Sequence, residues 1–356
     1  MVLTSLVTKY MLTLLTRYRP RPIFRCTGKS LLIAKVVSNL LTLHQLFAEI
    51  APGFASYPKG SFEHKIGVAT SLDPESKVVR VTTSSGEETQ DYDILVLATG
   101  SRTASEAVPW KQSPKGSDFT KEALHKVQAQ VKAAKTIILG GGGATAVETA
   151  GELAFEFKKT KDITIITSGS QLMDGSMTKK IADGAESQLT SMGVKVVKAK
   201  KITSTSILPS GQTEITLNNG EQLTCNLYLP TIGVVPNSEY IPKTLLNNKG
   251  EVMVDDFLKV KNVKDVWAAG DITDLEPSTY INTDKQATHV AKSLGLLLAG
   301  GAPLVYKYGG PPAMGITLGR SKGSGRAGDY KVPSIMIWWF SKCTPTPAPP
   351  SGILTL

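Results

Sequence analysis

Four consecutive glycines, Gly140-Gly141-Gly142-Gly143, stand between a short apolar run, Thr136–Leu139, and a segment with helical periodicity that opens at Ala144. A buried-type strand, a glycine turn and a helix in that order restrict this stretch to a parallel βαβ unit. They are also the context that a dinucleotide-binding fingerprint requires. The G-x-G-x-x-G/A register falls on Gly141, Gly143 and Ala146, with Gly142 between the first two. Gly141 supplies dihedrals that only glycine reaches cheaply. Gly143 has no Cβ, which lets a pyrophosphate come close to the backbone. Ala146 is small enough for the helix to lie tightly on the strand. The first turn of that helix then offers free amides and a partial positive charge to the phosphates.

A second strand is predicted at Ile163–Thr167, and its end should carry the acid that grips a ribose 2′-hydroxyl. The position holds Thr167, followed by Ser168-Gly169-Ser170. Neither a carboxylate nor an arginine is present, so the pattern leaves NADH and NADPH open. Two further strands bracket the glycine loop. Asp91–Leu97 runs into Ala98-Thr99-Gly100-Ser101, and Val263–Ala269 runs into Gly270-Asp271.

The order Ala-Thr-Gly, then the glycine loop with Glu148, then Gly-Asp resembles the pyridine-nucleotide flavoproteins of the glutathione-reductase fold. Gly53–Pro58, Thr70–Pro74, Thr231–Asn237 and Gly315–Arg320 are similar to the apoptosis-inducing-factor and ferroptosis-suppressor branch, its fungal members in particular. The resemblance runs from about Leu46 to Cys343. It implies an α/β fold with two Rossmann-like, three-layer domains, in which an FAD domain is split by an inserted NAD(P)H domain. It further implies that Ala98, Thr99 and Gly100 face FAD and that Gly270 and Asp271 meet its ribityl chain. Gly141, Gly142, Gly143, Ala146 and Glu148 serve the nicotinamide nucleotide, and Gly233 and Pro236 mark the return toward the flavin. A helix starting near Lys285-Gln286 would lie beside the flavin ring, where Gln286 could touch the ring or a quinone. The activity implied is hydride transfer from NADH or NADPH to FAD, then electron transfer to a quinone or another small acceptor. A flavin-free nucleotide-binding or interaction protein is the competing reading. In such a site the cofactors carry the chemistry and the protein places them, so no catalytic side chain is assigned.

One family feature is missing. Residues 1–48 contain a single glycine, Gly28, so the glycine loop that opens the FAD domain is absent and that domain is incomplete. The resulting division is an atypical leader (1–48), a truncated first FAD segment (49–131), the NAD(P)H domain (132–240), a second FAD segment (241–300), a C-terminal segment (301–343) and a Pro-rich tail (344–356).

Charge follows the same division. Of the net +10, the acid-free leader holds seven cations, which leaves +3 for everything after it. A broad basic field for nucleic acid is thereby excluded. The pattern of Met1–Tyr18 predicts an amphipathic helix stopped at Pro20. It is compatible with a mitochondrial transit peptide or with a segment of no folded role, and so with a cytoplasmic or mitochondria-associated protein. Cys26, Cys225 and Cys343 form no CxxC or CxxxxC pair, which excludes a redox dithiol and a zinc ribbon. Residues 321–328 read as a flexible basic loop. The run Ile335–Phe340 is apolar enough either to pack on its own domain or to sit shallowly at a membrane interface.

Overall fold

The computed structural model describes residues 3–6, 12–14, 62–105, 108, 111, 117–309 and 313–343. The Gly53–Pro58 motif, Gly28, Cys26 and the tail 344–356 lie outside the described residues.

The first unit is built on a five-stranded sheet. Its strands are β1 (Leu3–Leu6), β2 (Leu12–Leu14), β3 (Phe62–Lys65), β7 (Leu95–Leu97) and β17 (Val266–Ala268), in the order β17-β7-β2-β1-β3. Strands β7 and β17 pair in parallel and every residue of both is buried. This explains their unbroken apolar sequence. Their partner layer is an antiparallel meander of β4 (Gly67–Asp73), β5 (Val78–Thr83) and β6 (Gly86–Asp91). It turns its alternate residues Ala69, Leu72, Val79 and Val81 into the shared core. The turn after β4 is set by Asp73, whose Oδ1 accepts the amides of Glu75 and Ser76.

Two expectations for the leader are corrected here. Leu3–Leu6 and Leu12–Leu14 are antiparallel strands rather than parts of a helix. They also occupy the central sheet positions that the truncated domain was expected to lack, with β2 antiparallel to β7 and β1 parallel to β3. The helical spacing of Leu3, Val7, Tyr10 and Leu14 competes with a period of two in Leu12-Thr13-Leu14, and β7 supplies a ladder that only a strand can complete.

The second unit is a parallel sheet in the order β11-β10-β9-β15. Its strands are β9 (Thr136–Gly140), β10 (Asp162–Ile166), β11 (Lys195–Val197) and β15 (Leu227–Pro230). Helices α1 (Ser117–Ala133), α2 (Ala144–Phe157) and α3 (Lys179–Ser191) contribute to its core. Helix α1 buries Leu124, Val127 and Val131 there, so this core takes in residues ahead of 132. Ile137, Leu139 and Ile165 are fully enclosed, each worth about 1.5–3 kcal/mol of burial. An antiparallel sheet of β12 (Ile202–Ile207), β13 (Thr213–Leu217) and β14 (Gln222–Cys225) forms a second small core with Ile138 and Ile166.

Two short strands link the units. β8 (Ser101–Thr103) pairs antiparallel with β16 (Val234–Pro236), so both crossings between the units run side by side. Helix α4 (Tyr280–Leu298) returns to the first core through Val290 and Leu294.

The C-terminal segment folds as β18 (Ala313–Leu318), β19 (Lys322–Ala327), β20 (Tyr330–Lys331) and α5 (Ser334–Cys343). The loop expected at 321–328 is therefore mostly a strand, turned at Gly319 with φ +65°. Ile316 and Leu318 of β18 enter the core of the second unit. Helix α2 permits this approach through Gly151, where a Cβ would lie 3.0 Å from the Leu318 Cα.

Candidate functional site

The glycine loop closes the C-terminal end of β9. The Gly141 amide donates to the Ile166 carbonyl (2.8 Å), and the Gly142 carbonyl accepts the Met173 amide (2.7 Å). Gly141 has φ +121°, and a Cβ on it would meet Ile232 Cγ2 at 2.8 Å and Thr231 Oγ1 at 2.9 Å. On Gly142 a Cβ would meet Thr167 Oγ1 at 2.5 Å. Gly143 is different. It is the N-cap of α2 in extended backbone, and a Cβ there meets nothing within 4 Å. No side chain caps α2 and no acid occupies its first turn. An open space therefore faces uncapped amides and the positive end of a helix, while Ala146 is fully buried beneath. These residues fit a pyrophosphate.

Glu148 lies elsewhere. It is buried on α2, and its Oε1 accepts the Thr317 amide of β18 at 3.3 Å. The structure thus gives it a contact that joins the C-terminal hairpin to α2. At the end of β10, Thr167 is buried against Gly142, and its Oγ1 accepts the Gly169 amide (3.2 Å). The Lys200 amide donates to the Thr167 carbonyl (3.0 Å), and the Lys200 ammonium has no partner among the described residues. A cation thus stands just past the strand that neighbours the ribose position. The Ser170 amide donates to Asp174 Oδ2 (3.1 Å).

The second group of residues gathers where β7 and β17 end. Thr99 Oγ1 donates to the Asn237 carbonyl and Asn237 Nδ2 donates to the Thr99 carbonyl, both at 2.8 Å. This reciprocal pair fastens Ala98-Thr99-Gly100 to the chain just after Pro236. Gly100 (φ +62°) accepts the Asn237 amide at 2.9 Å, and Gly233 (φ +78°) accepts the Ala104 amide at 3.3 Å. Asp271 follows β17, and its carboxylate accepts Ser101 Oγ at 3.1 Å and the Lys111 ammonium. Lys111 also reaches Ser101 Oγ. The Asp271 and Lys111 side chains keep 23% and 28% of their surface exposed. The pair is therefore reachable from outside. A carboxylate and an ammonium at the carboxyl ends of parallel strands suit the hydroxyls and charge of a flavin's ribityl and phosphate portion. The phosphate loop that would complete that site is not among the described residues.

Gln286 does not face this space. It is 1% exposed, and its Oε1 accepts the Gly270 amide (2.7 Å) while its Nε2 donates to Glu276 Oε2 (3.1 Å). Its part is to hold the Gly270-Asp271 turn. Glu276 also accepts Tyr306 Oη (2.6 Å) and the Gly309 amide (3.3 Å). Burial raises the Glu276 carboxyl, but the bonds from Tyr306, Gln286 and Gly309 outweigh it and hold the group below its ordinary range. His289 bonds the Leu304 carbonyl through Nε2 (3.0 Å) and packs edge-on against Tyr306. Burial lowers its pKa. Cys225 is free and buried, and desolvation pushes its thiol up to about 11.

Sequence reasoning named the backbone turns but missed Lys111, Glu276, Tyr306 and the roles of Ser101 and Asn237. Lys111 meets Asp271 across 160 positions of chain, and nothing local to either residue announces that pairing.

The arrangement agrees with a family model for pyridine nucleotide-disulphide oxidoreductases, which matches residues 22–291. The chain belongs to that family. FAD and NAD(P)H are the family's cofactors. Within it the chain is 37% identical to oxidoreductase ptaL of Pestalotiopsis fici, over 85% of this chain and 80% of that one. It is 28% identical to ferroptosis suppressor protein 1 of Xenopus tropicalis, over 79% and 77%. An engineered water-forming NADPH oxidase bound to NADPH, derived from a Lactobacillus brevis enzyme, superposes with a TM-score of 0.66 at 20% identity. That comparison covers 83% of this chain but 66% of the oxidase, just under two thirds of its length, and carries the fold alone.

Proposed function

We propose that this chain is an FAD-dependent oxidoreductase that passes hydride from NADH or NADPH to the flavin and electrons onward to a quinone or another small acceptor. The observation that carries this reading is the side-by-side crossing of β8 and β16. It ties the Ala98-Thr99-Gly100 turn and Asp271 to the strand leading back from the glycine loop. Two dinucleotide sites joined through one rigid link can hold two rings at a fixed approach.

In this mechanism Gly141, Gly142 and Gly143 shape the phosphate turn, and the α2 N-terminus would neutralise the nicotinamide nucleotide's phosphates. Asp271, oriented by Ser101 and Lys111, would hold the ribityl hydroxyls of FAD. Gln286 and Glu276 keep the Gly270 turn in place from behind. The spacing of Cys26, Cys225 and Cys343, with no CxxC or CxxxxC pair, supports a small acceptor over a disulfide.

A second reading, a flavin-free NAD(P)H-binding protein, draws on the antiparallel β2, which stands beside β7. Adding FAD to the purified full chain and passing it through a gel-filtration column separates the two. A retained flavin band, bleached anaerobically by NADH or NADPH, supports the oxidoreductase. A colourless chain that still quenches NADH fluorescence supports the binder. Supplying quinone to the bleached protein then tests the acceptor.

A further inference from the structure

The two crossings between the units are joined by little backbone. Strands β8 and β16 make a two-stranded ribbon of three residue pairs, Ser101 with Pro236, Arg102 with Val235 and Thr103 with Val234. Pro236 has no N–H to give to the ladder. Val234 is 55% exposed, so apolar burial adds little there. An isolated ribbon of this kind is marginal in water, and this one needs a further fastening.

The side chains of β8 supply it. Ser101 reaches Asp271, while Arg102, its neighbour on the strand, reaches the chain that follows β16. Arg102 Nη1 donates to Asn237 Oδ1 at 2.9 Å and, more loosely, to the Pro236 carbonyl at 3.5 Å. Its Nη2 meets the Glu239 carboxylate at 2.5 Å. Asn237 is buried, and with Oδ1 taken by Arg102 its Nδ2 donates to the Thr99 carbonyl. A continuous polar chain thus runs from Glu239 through Arg102 and Asn237 to the Ala98-Thr99-Gly100 turn. The Glu239 and Arg102 side chains keep 48% and 26% of their surface exposed, so their ion pair alone adds little. The planar guanidinium matters more, because its fixed fork holds Asn237 and Glu239 together, which the point charge of a lysine does not reproduce.

Resting on the oxidoreductase reading above, we propose that Arg102 is a positioning residue for hydride transfer, fastening the ribbon that sets the approach of the nicotinamide to the flavin. Its contacts are with the link, and it acts through Asn237 on the Thr99-Gly100 turn. A misplacement of about 1 Å between reacting centres slows a transfer about 100-fold. Affinity for the nicotinamide nucleotide is set by the glycine loop and does not depend on the link.

The full chain in excess FAD is mixed anaerobically with rising NADH in a stopped-flow spectrometer, which reads nucleotide affinity and the limiting rate of flavin bleaching separately. Arg102→Ala should lower the limiting rate at least about tenfold and leave the NADH dissociation constant unchanged. Arg102→Lys and Glu239→Gln each keep part of the polar chain and should fall between. Hydrogen exchange on the cofactor-free chain gives a reading without turnover. The Asn237 and Ala104 amides, which donate across the link to Gly100 and Gly233, should exchange faster in Arg102→Ala. The Gly141 amide, bonded to Ile166 within the second unit, should not. An unchanged limiting rate in Arg102→Ala overturns the proposal, and so does unchanged exchange at both link amides. So does a rate loss that tracks urea stability across the three variants, because the role would then be purely structural. A parent chain that binds NADH and FAD without bleaching would sink the oxidoreductase reading and the positioning role with it, while exchange would still decide whether Arg102 fastens the link.

Discussion

Gly143→Ala separates binding from folding at the glycine loop. The backbone at Gly143 is extended (φ −79°, ψ −177°) and a Cβ there meets nothing within 4 Å. Alanine should therefore leave stability unchanged to within about 0.5 kcal/mol. The added methyl enters the space where a pyrophosphate must approach the α2 amides. Charge-assisted hydrogen bonds of that kind contribute about 1.5–3 kcal/mol each, so losing one raises the NAD(P)H dissociation constant about 10- to 100-fold. Gly142→Ala is the contrasting case. Its Cβ would lie 2.5 Å from Thr167 Oγ1, so crowding should cost about 1–3 kcal/mol of stability. Urea unfolding followed by circular dichroism reads the stability, and NADH fluorescence titration reads the affinity. A Gly143→Ala protein that binds NADH as tightly as the parent would refute the assignment of this loop to the phosphates.

Other outcomes follow from the same geometry. Asp271→Ala leaves the Lys111 ammonium and Ser101 without their shared carboxylate; FAD retention after gel filtration should fall at least about tenfold, with NADH affinity unchanged. Glu276 is held below its ordinary value of 4.5 in the folded chain. It therefore stabilises the 304–309 segment fully above that value and loses this effect as pH falls through the lower folded pKa. Glu276→Gln should remove that acid-sensitive phase from a pH series of unfolding curves. Lys200→Ala should raise the KM for NADPH several-fold and leave that for NADH unchanged, if the Lys200 ammonium reaches a 2′-phosphate. Equal effects on the two nucleotides would place it outside that subsite.

How much of this was legible in the sequence depended on how local each interaction is. The strand, glycine turn and α2 are contiguous, and their backbone demands are written in residue type, so Gly141, Gly142, Gly143 and Ala146 fall where the pattern placed them. The Thr99–Asn237 clasp and the Lys111–Asp271 pair depend on elements more than a hundred residues apart, and no periodicity reports such contacts. Gln286 and Glu148 were legible as polar residues near the nucleotide sites. Burial then decided what they bond, Gln286 to a turn amide and Glu148 to a strand of the C-terminal hairpin. The leader misled because a helical period and a strand period overlap in it, and the neighbouring open edge of β7 resolves the choice. Glycines at 319, 323 and 325 suggested a loop, although two of them exist to seat Ile337.

The central claim is that one chain holds a flavin and a nicotinamide nucleotide close enough for hydride transfer. An anaerobic titration of the FAD-loaded, gel-filtered protein with NADPH and with NADH, followed in the visible spectrum, tests it most directly. The account predicts stoichiometric bleaching of a retained flavin band, lost in Gly143→Ala at low nucleotide and in Asp271→Ala at all concentrations. A retained flavin that neither nucleotide bleaches would contradict it.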